Sequence, residues 1–305
     1  MQPFKVTILG CGSALPTLKH YSSSQLVEIR GKVFMVDCGE GTQLQLRKAH
    51  VHFNKVSAVF ISHLHGDHCF GLIGMISTFG MLGRTAPLHI YAPQEMEPLL
   101  KLQLDMFCQG LDYQVTFHAV DTALDKIVYE DKSLTVTTLP LNHRVPCCGY
   151  LFKEKEKLPH LRRDMIDYYE IPISQRDNIK NGADWTTPDG DVIANHLLTT
   201  PADPARSYAY CSDTKYKPAL ARLIENVNML YHESTYCDAD EKRAALYFHS
   251  TAGQAASIAA KAHVQKLLLG HFSARYDNEQ QILADAQKVF KNAFLCNEMC
   301  VFEVE

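Results

Sequence analysis

The chain has 305 residues, 46% of them hydrophobic, which is enough for one large domain or two small ones. Its formal net charge of -4 excludes a protein that is basic over its whole surface, so any contact with nucleic acid has to use local patches. Ten cysteines without a CxxC pair or regular spacing predict reduced thiols in a cytoplasmic protein rather than a disulfide framework.

The first residues, MQPFKVTILG, contain no basic region followed by a long apolar run. Nowhere in the chain do roughly 18 apolar residues follow one another, as a transmembrane helix requires. The sequence therefore predicts neither secretion nor membrane insertion.

Short strands alternate with helices along the chain. KVTILG, SQLVEIRG and KVFMVDCG are short, apolar and rich in β-branched residues, so they predict a β-meander with a tight turn at Arg30 and Gly31. The same character predicts further strands in VSAVFIS, LHIYAP, YQVTFHAV, SLTVTTLPLNH, SYAYCSD, NMLYHES and KLLLGH. Helical length and spacing occur in GLIGMISTFGML, TAGQAASIAAKAH and NEQQILADAQKVF. The pattern indicates an α/β fold.

Residues 153–206 interrupt this alternation. The segment is charged, contains several prolines and glycines, and lacks apolar periodicity, which predicts a long insertion. It is either a protruding binding arm or a disordered surface excursion. Trp185, Tyr168 and Tyr169 favour the arm, because disordered segments are usually poor in aromatic residues.

Four ligand-type side chains lie close together in ISHLHGDHCFGL, between a predicted strand and a predicted helix. In an extended segment His63 and His65 point the same way and can reach one metal ion together. Gly66 permits a sharp turn, after which Asp67 and His68 can serve a second ion. Packing imidazoles and a carboxylate so closely would cost stability through desolvation unless a cation compensated. A metal site is therefore favoured over the alternative that these residues cap the following helix or lie on the surface.

Three further ligand-type residues stand where apolar strands stop: His143, Asp213 and His271. Taken singly, each is more often a solvated loop residue. Together with HxHxDH they favour a site with two metal ions, an arrangement that hydrolyses phosphodiesters.

This combination resembles the metallo-β-lactamase superfamily and, within it, the ribonuclease Z family of tRNA 3′-processing endonucleases. The resemblance covers nearly the whole chain apart from parts of the insertion. It is carried by LGCGSALP, VDCGEGTQLQL, SHLHGDHCFGLIG, LNHRVPCCGY, CSDT, HEST, FHSTAGQAA and HFSARY. It implies an αββα sandwich over residues 1–305, with residues 153–206 as a protruding insertion arm that binds tRNA.

The resemblance also implies two zinc ions per subunit, with manganese or iron(II) as alternatives, held at seven matching positions. One ion would be held by His63, His65 and His143, the other by Asp67, His68 and His271, with Asp213 between them.

Catalytic roles follow from the same resemblance. Asp67 would orient the attacking water and accept its proton, and His249 would protonate the departing ribose 3′-oxygen while Glu233 holds its imidazole. From spacing alone, Glu233 is better explained as a surface carboxylate and His249 as a residue ahead of a helix capped by Ser250 or Thr251, and the resemblance reverses that preference.

Residues around these positions receive weaker assignments. Asp37, at the end of KVFMVD, is predicted to organise the histidines without binding metal. Ser273 and Arg275 are candidates for contacts with substrate phosphate, with plain surface positions as the alternative. The remaining histidines, His20 among them, receive no chemical role.

The expected partner is precursor tRNA, bound by a homodimer as the resemblance implies. The insertion has no Gly-Pro signature of the kind found in bacterial arms, but basic residues in it can contact phosphates: Arg162, Arg163, Arg176 and Lys180. Two other functions are considered: a hydrolase of small phosphodiesters, and a non-catalytic RNA-binding module. The insertion and the pair of Glu233 and His249 favour RNA cleavage over the small-diester hydrolase. The seven ligand positions together with that pair speak against the non-catalytic module, because a scaffold does not need them all.

Overall fold

The computed structural model describes residues 2–305, which form two compact units: residues 2–153 together with 206–305, and residues 154–205. The larger unit contains two seven-stranded sheets. The first sheet contains β1 (Phe4–Gly10), β2 (Ser24–Ile29), β3 (Lys32–Cys38), β4 (Val56–Phe60), β5 (Leu88–Pro93), β6 (Val115–Val120) and β18 (Val301–Glu303), in the spatial order β18-β1-β2-β3-β4-β5-β6. The second contains β7 (Ile127–Glu130), β8 (Leu134–Pro140), β9 (Cys148–Glu154), β14 (Ser207–Cys211), β15 (Met229–Glu233), β16 (Lys266–Gly270) and β17 (Ala293–Leu295), in the order β17-β16-β15-β14-β9-β8-β7.

Each sheet combines antiparallel and parallel pairs. β1, β2 and β3 form the predicted meander, and Arg30 and Gly31 at its second turn have φ angles of 53° and 75°. Both angles lie in the left-handed region that a two-residue hairpin turn requires, so the predicted turn is confirmed. Parallel pairs run from β3 to β6 and from β14 to β17.

Aromatic side chains fill the space between the sheets. Phe60 of the first sheet lies 5.2 Å from Tyr150 and 5.5 Å from Phe152 of the second, measured between ring centroids. All three are fully buried. Aromatic pairs at this spacing add to the stabilisation from buried area, so this core holds the two sheets in one relative position.

Helices pack on both sheets. Those that follow strands of the first sheet are α1 (Thr42–Lys48), α2 (Gly66–Cys69), α3 (Leu72–Met81) and α4 (Met96–Phe107). Those in the second half are α8 (Leu220–Leu223), α9 (Glu241–Tyr247), α10 (Ala252–Lys261) and α11 (Gln280–Val289). Two 3₁₀ turns occur at Phe53–Lys55 and Asp238–Asp240. No helix within residues 2–305 is long and apolar enough to cross a bilayer.

Residues 154–205 form a small unit with a core of their own, made by Ile166, Ile171, Ile179 and Leu198. The unit contains α5 (Arg163–Tyr168), α6 (Ile173–Lys180) and α7 (Asn195–Leu198), with strand pairs β10 (His160–Leu161) with β13 (Thr199–Thr200) and β11 (Trp185–Thr186) with β12 (Val192–Ile193). The segment is therefore folded and is not a disordered excursion.

An ion pair links the two sheets at one end. Lys32, at the start of β3, lies 2.7 Å from the carboxylate of Asp131 in the turn between β7 and β8. Asp131 also accepts hydrogen bonds from the backbone and side chain of Ser133 and from the hydroxyl of Tyr129. Burial opposes ionisation of Asp131, but these donors outweigh burial and lower its pKa.

We expect Asp131→Ala to reduce the free energy of unfolding by about 1–3 kcal/mol at neutral pH, because a charge-assisted network is lost. Since the pKa of Asp131 is lower in the folded than in the unfolded chain, its contribution is present above about pH 4 and disappears as the pH falls further. Urea unfolding at neutral and acidic pH measures this, with exposed Asp125→Ala as the control. An equal loss of stability at both pH values would contradict the assignment.

Candidate metal centre and catalytic site

The site forms where strands of both sheets end. After β4 the chain continues through His63 and His65, and α2 then carries Asp67 and His68. Gly66 is the first residue of that helix, and a Cβ atom there would come within 2.3 Å of the Phe70 ring. The other three predicted ligands follow β8, β14 and β16: His143, Asp213 and His271. The structure thus brings all seven predicted ligands to one edge of the sandwich.

The ligand atoms form two adjoining groups. In the first, Nδ1 of His65 lies 3.1 Å from Nε2 of His63 and 3.2 Å from Nε2 of His143. In the second, Nε2 of His271 lies 3.4 Å from Nε2 of His68 and 3.3 Å from an oxygen of Asp67. Within each group all such atoms lie within 4.8 Å of one another.

Asp213 belongs to both groups. Its Oδ2 lies 3.6 Å from Nε2 of His63 and 3.7 Å from Nε2 of His143. Its Oδ1 lies 3.5 Å from Nε2 of His68 and 3.1 Å from Nε2 of His271. One oxygen of the Asp213 carboxylate therefore faces each of the two groups.

Four imidazoles are held so that Nε2 is directed at the centre. Their Nδ1 atoms lie near protein oxygens: His63 near Ser62 Oγ, His68 near Asp37, His143 near the Phe248 carbonyl and His271 near Thr235 Oγ1. With the proton on Nδ1, each ring presents its Nε2 lone pair, as metal-bound histidines do. Lone pairs converging at these distances repel one another unless a cation lies between them, so the residues fit divalent metal.

The local electrostatics differ from ring to ring: burial disfavours the charged form of His68, but the carboxylates of Asp67, Asp213 and Asp37 outweigh burial and raise its pKa. Burial lowers the pKa of His63, His65 and His143, which keeps these rings neutral near pH 7. Burial opposes ionisation of Asp67 and Asp213, but the neighbouring imidazoles outweigh burial and lower both pKa values. Neutral imidazoles and ionised carboxylates are the forms that bind metal.

Asp37 is fully buried beside the centre. Its carboxylate accepts hydrogen bonds from the Ser62 backbone and hydroxyl at 2.7 and 2.9 Å and from the Tyr210 hydroxyl at 2.6 Å. Its Oδ2 also lies 2.7 Å from Nδ1 of His68. Asp37 therefore contacts His68 directly and reaches His63 through Ser62, and its role as an organising residue stays a prediction.

Glu233 and His249 form the predicted pair. The Glu233 carboxylate is fully buried, and its Oε1 lies 2.9 Å from Nδ1 of His249. Burial lowers the pKa of His249, but the charge and hydrogen bond of Glu233 outweigh burial and raise the pKa to about 9. The His249 ring stacks 5.4 Å from that of His271, and Thr251 caps α10 as one of the two expected caps. His249 thus precedes the capped start of α10 and also pairs with Glu233.

Sequence reasoning missed Thr235. Its hydroxyl donates to Glu233 Oε2 at 2.6 Å and lies 2.9 Å from Nδ1 of His271, so it connects the acid pair to the ligand cluster. Thr235 belongs to the HEST stretch and lies two residues after Glu233. That closeness in sequence is the signal that could have identified it. Ser62 and Tyr210 were missed in the same way.

Ser273 and Arg275 lie at the rim. Ser273 is half-buried, and its hydroxyl accepts a hydrogen bond from the Arg275 backbone at 3.4 Å. The exposed Arg275 guanidinium lies 3.6 Å from Asp240. Neither side chain contacts the seven clustered ligands, and their role toward phosphate stays a prediction.

Comparisons with known proteins cover the whole chain. Residues 4–157 match the family model described as Anti-Pycsar protein Apyc1. Ribonuclease Z from Bacteroides fragilis is 53% identical over 302 residues, 99% of this chain and 99% of that protein. The short form of human tRNase Z superposes with a TM-score of 0.71 at 22% identity, with 99% of each chain covered. The metallo-β-lactamase fold protein YhfI from Bacillus subtilis has a TM-score of 0.69 at 19% identity, with 99% of this chain and 100% of that chain covered.

The two sheets, their helices and these structural matches define a protein of the metallo-β-lactamase fold, which confirms the predicted fold class. The match to Apyc1 is confined to the part of the chain that carries β1 to β9 and includes HxHxDH. The identity of about one half over the full length is more specific: the chain belongs to the ribonuclease Z family.

We expect Asp37→Ala to lower the affinity for divalent metal by about 10–100-fold, because residues that orient ligating histidines contribute that much to binding. Equilibrium dialysis of the metal-freed protein against Zn²⁺ measures the change. Asp285→Ala is the matched control, since Asp285 is also a buried carboxylate but lies near Lys288 and the Asp238 backbone. Unchanged affinity in a folded Asp37→Ala variant would rule out this role.

Proposed function

We propose that the chain is a zinc-dependent endoribonuclease that removes the 3′ trailer of precursor tRNA. It cuts after the discriminator base and leaves a 3′-hydroxyl on the tRNA and a 5′-phosphate on the trailer. The observation that carries the proposal is the Glu233–His249 pair beside a seven-ligand cluster, in a chain that is 53% identical to a ribonuclease Z.

Two Zn²⁺ per subunit are proposed, with Mn²⁺ or Fe²⁺ as alternatives that the same donors accept. His63, His65 and His143 would hold one ion, Asp67, His68 and His271 the other, and Asp213 would contact both. When bound, such ions ionise water near neutral pH and neutralise charge on the phosphoryl oxygens.

The protein's own residues handle the protons. The ionised Asp67 carboxylate orients the attacking water and accepts its proton. The departing ribose 3′-oxygen needs a proton as well, and the imidazolium of His249 donates it from Nε2 while Nδ1 stays bound to Glu233. The raised pKa of His249 agrees with a ring that carries the proton at neutral pH.

Substrate binding is proposed for three regions. A cavity of about 420 Å³ beside His65 and Asp67, lined also by Pro16 and Phe70, would receive the RNA strand at the scissile bond. Ser273 and Arg275 would contact phosphate. Residues 153–206 would serve as the tRNA-binding arm, because arginines such as the highly exposed Arg163 can contact backbone phosphates. We further propose a homodimer in the cytoplasm, as the family resemblance implies.

The first test is cleavage of an end-labelled precursor tRNA that carries a 3′ trailer. We expect a single cut after the discriminator base, lost on chelation of metal and restored by Zn²⁺. Bis(p-nitrophenyl) phosphate is assayed in parallel. Turnover of that diester without tRNA cleavage would assign the protein to small phosphodiesters, and inertness of a fully metallated sample toward both would favour an RNA-binding scaffold.

We expect His249→Ala to lower the kcat of tRNA cleavage by about 10²–10⁴-fold, the usual contribution of a general acid. Hydrolysis of bis(p-nitrophenyl) phosphate should change little, because nitrophenolate leaves without protonation. His52→Ala, at an exposed histidine, is the control. Equal losses on both substrates would show that His249 supports the metal centre and is not the proton donor.

A further inference from the structure

A second group of metal-ligating side chains lies outside the site described above. Cys11 follows β1, His20 lies in the loop that leads to β2, and Glu298 lies in the loop before β18. One ligand atom from each of these residues lies within 4.8 Å of the other two. Cys11 and His20 are buried and Glu298 is half-buried.

The distances within this group match those of the candidate metal centre. Sγ of Cys11 lies 3.3 Å from Nδ1 of His20 and 3.6 Å from Oε1 of Glu298, and Nδ1 of His20 lies 3.0 Å from Oε2 of Glu298. The Cys11 sulfur also lies 3.6 Å from the carbonyl of Cys296. A thiol carries one proton, so it cannot bond to every acceptor around it at once.

The surroundings of His20 are those of a metal-bound imidazole. Its Nε2 lies 3.3 Å from Oε1 of Glu279, and the ammonium group of Lys19 lies 2.6 Å from both oxygens of that carboxylate. With a metal ion bound, the carboxylate behind the ring would hold the proton on Nε2 and leave the Nδ1 lone pair directed toward Cys11 and Glu298. Without the ion, Glu298 and Glu279 outweigh burial and raise the pKa of His20. Backbone N–H groups of Tyr21 and Cys11 donate to Glu298 Oε1 at 2.9 and 3.4 Å and fix that side chain.

We propose that Cys11, His20 and Glu298 form a third metal site, which binds one Zn²⁺ ion and is separate from the seven-ligand centre. A thiolate and a carboxylate together neutralise a divalent cation, and a thiolate selects zinc over magnesium, calcium or manganese. The thiol proton is released to solvent as the ion binds, and water completes the coordination. The proposal does not depend on the proposed function.

The ion would fix the loop between β1 and β2 next to the candidate active site. The backbone of Phe272, which follows His271, exchanges hydrogen bonds with this loop: Ser13 N–H donates to its carbonyl at 3.1 Å, and its own N–H donates to the Cys11 carbonyl at 2.9 Å. Pro16 of the same loop lines the cavity beside Asp67. The third site is therefore a structural support for one wall of that cavity.

The competing explanation needs no metal. A protonated His20 between Glu298 and Glu279 would form a buried ion-pair cluster, with the Cys11 thiol as a hydrogen-bond donor. The two explanations differ in metal content and in the state of the Cys11 sulfur, because only the metal site contains a thiolate bonded to a metal.

The first test is titration of the metal-freed full-length protein with Co²⁺, monitored by the near-ultraviolet charge-transfer absorption of a cobalt thiolate. In a separate experiment, bound zinc is counted by mass spectrometry. None of the seven ligands of the other centre is a cysteine, so this absorption reports the third site even if that centre binds no ion. We expect one thiolate site per chain, and zinc content one equivalent higher in the wild type than in Cys11→Ser.

Cys69→Ser is the matched control, because Cys69 is the cysteine beside the candidate metal centre, with Sγ 3.2 Å from the His65 carbonyl. This substitution should leave the thiolate absorption unchanged. His20→Gln is a second variant for the case that Cys11→Ser does not fold, and it should lose the same equivalent of zinc. Absence of the thiolate absorption in folded wild type, or its persistence in Cys11→Ser or His20→Gln, would overturn the proposal.

Discussion

The carboxylate of Asp37 is the interaction on which the site depends most. It belongs to the first sheet, accepts a hydrogen bond from Tyr210 of the second sheet, and lies against His68 of α2. Its bonds to Ser62 fix the residue whose hydroxyl meets His63. One buried side chain therefore connects both sheets and sets the direction of two imidazoles. Its backbone has a φ of 57°, a left-handed conformation that aspartate tolerates better than most residues.

The two sheets contribute different halves of the cluster of predicted metal ligands. His63, His65, Asp67 and His68 follow a strand of the first sheet, while His143, Asp213 and His271 follow strands of the second. The aromatic core between the sheets consequently sets the separation of ligand atoms several residues away. His271 has a φ of 60°, and residues held in such conformations at functional sites cost about 1–3 kcal/mol each. The packed core and the hydrogen bonds around the site offset that cost.

Most of the secondary structure and the HxHxDH motif could be predicted from local sequence patterns. The strands and the long helices were readable because side-chain periodicity is a short-range property, and HxHxDH was readable because four ligands share six positions. His20 was set aside for the opposite reason: its carboxylate partners Glu279 and Glu298 are separated from it by 259 and 278 positions. Thr235 was overlooked because a threonine in a strand-end motif carries no signal until its two partners are known.

The sequence by itself determined the kind of fold, the positions of the ligand-type residues and the family, since these depend on residue type and spacing along the chain. Only the tertiary structure decided which atoms face one another: that Asp213 presents one oxygen to each group, that His65 directs Nδ1 at the cluster where the other four histidines direct Nε2, and that Glu233 meets His249. The physical reason is that a ligand cluster requires atoms within a few ångströms, and the packing of two sheets sets such distances between residues far apart in sequence.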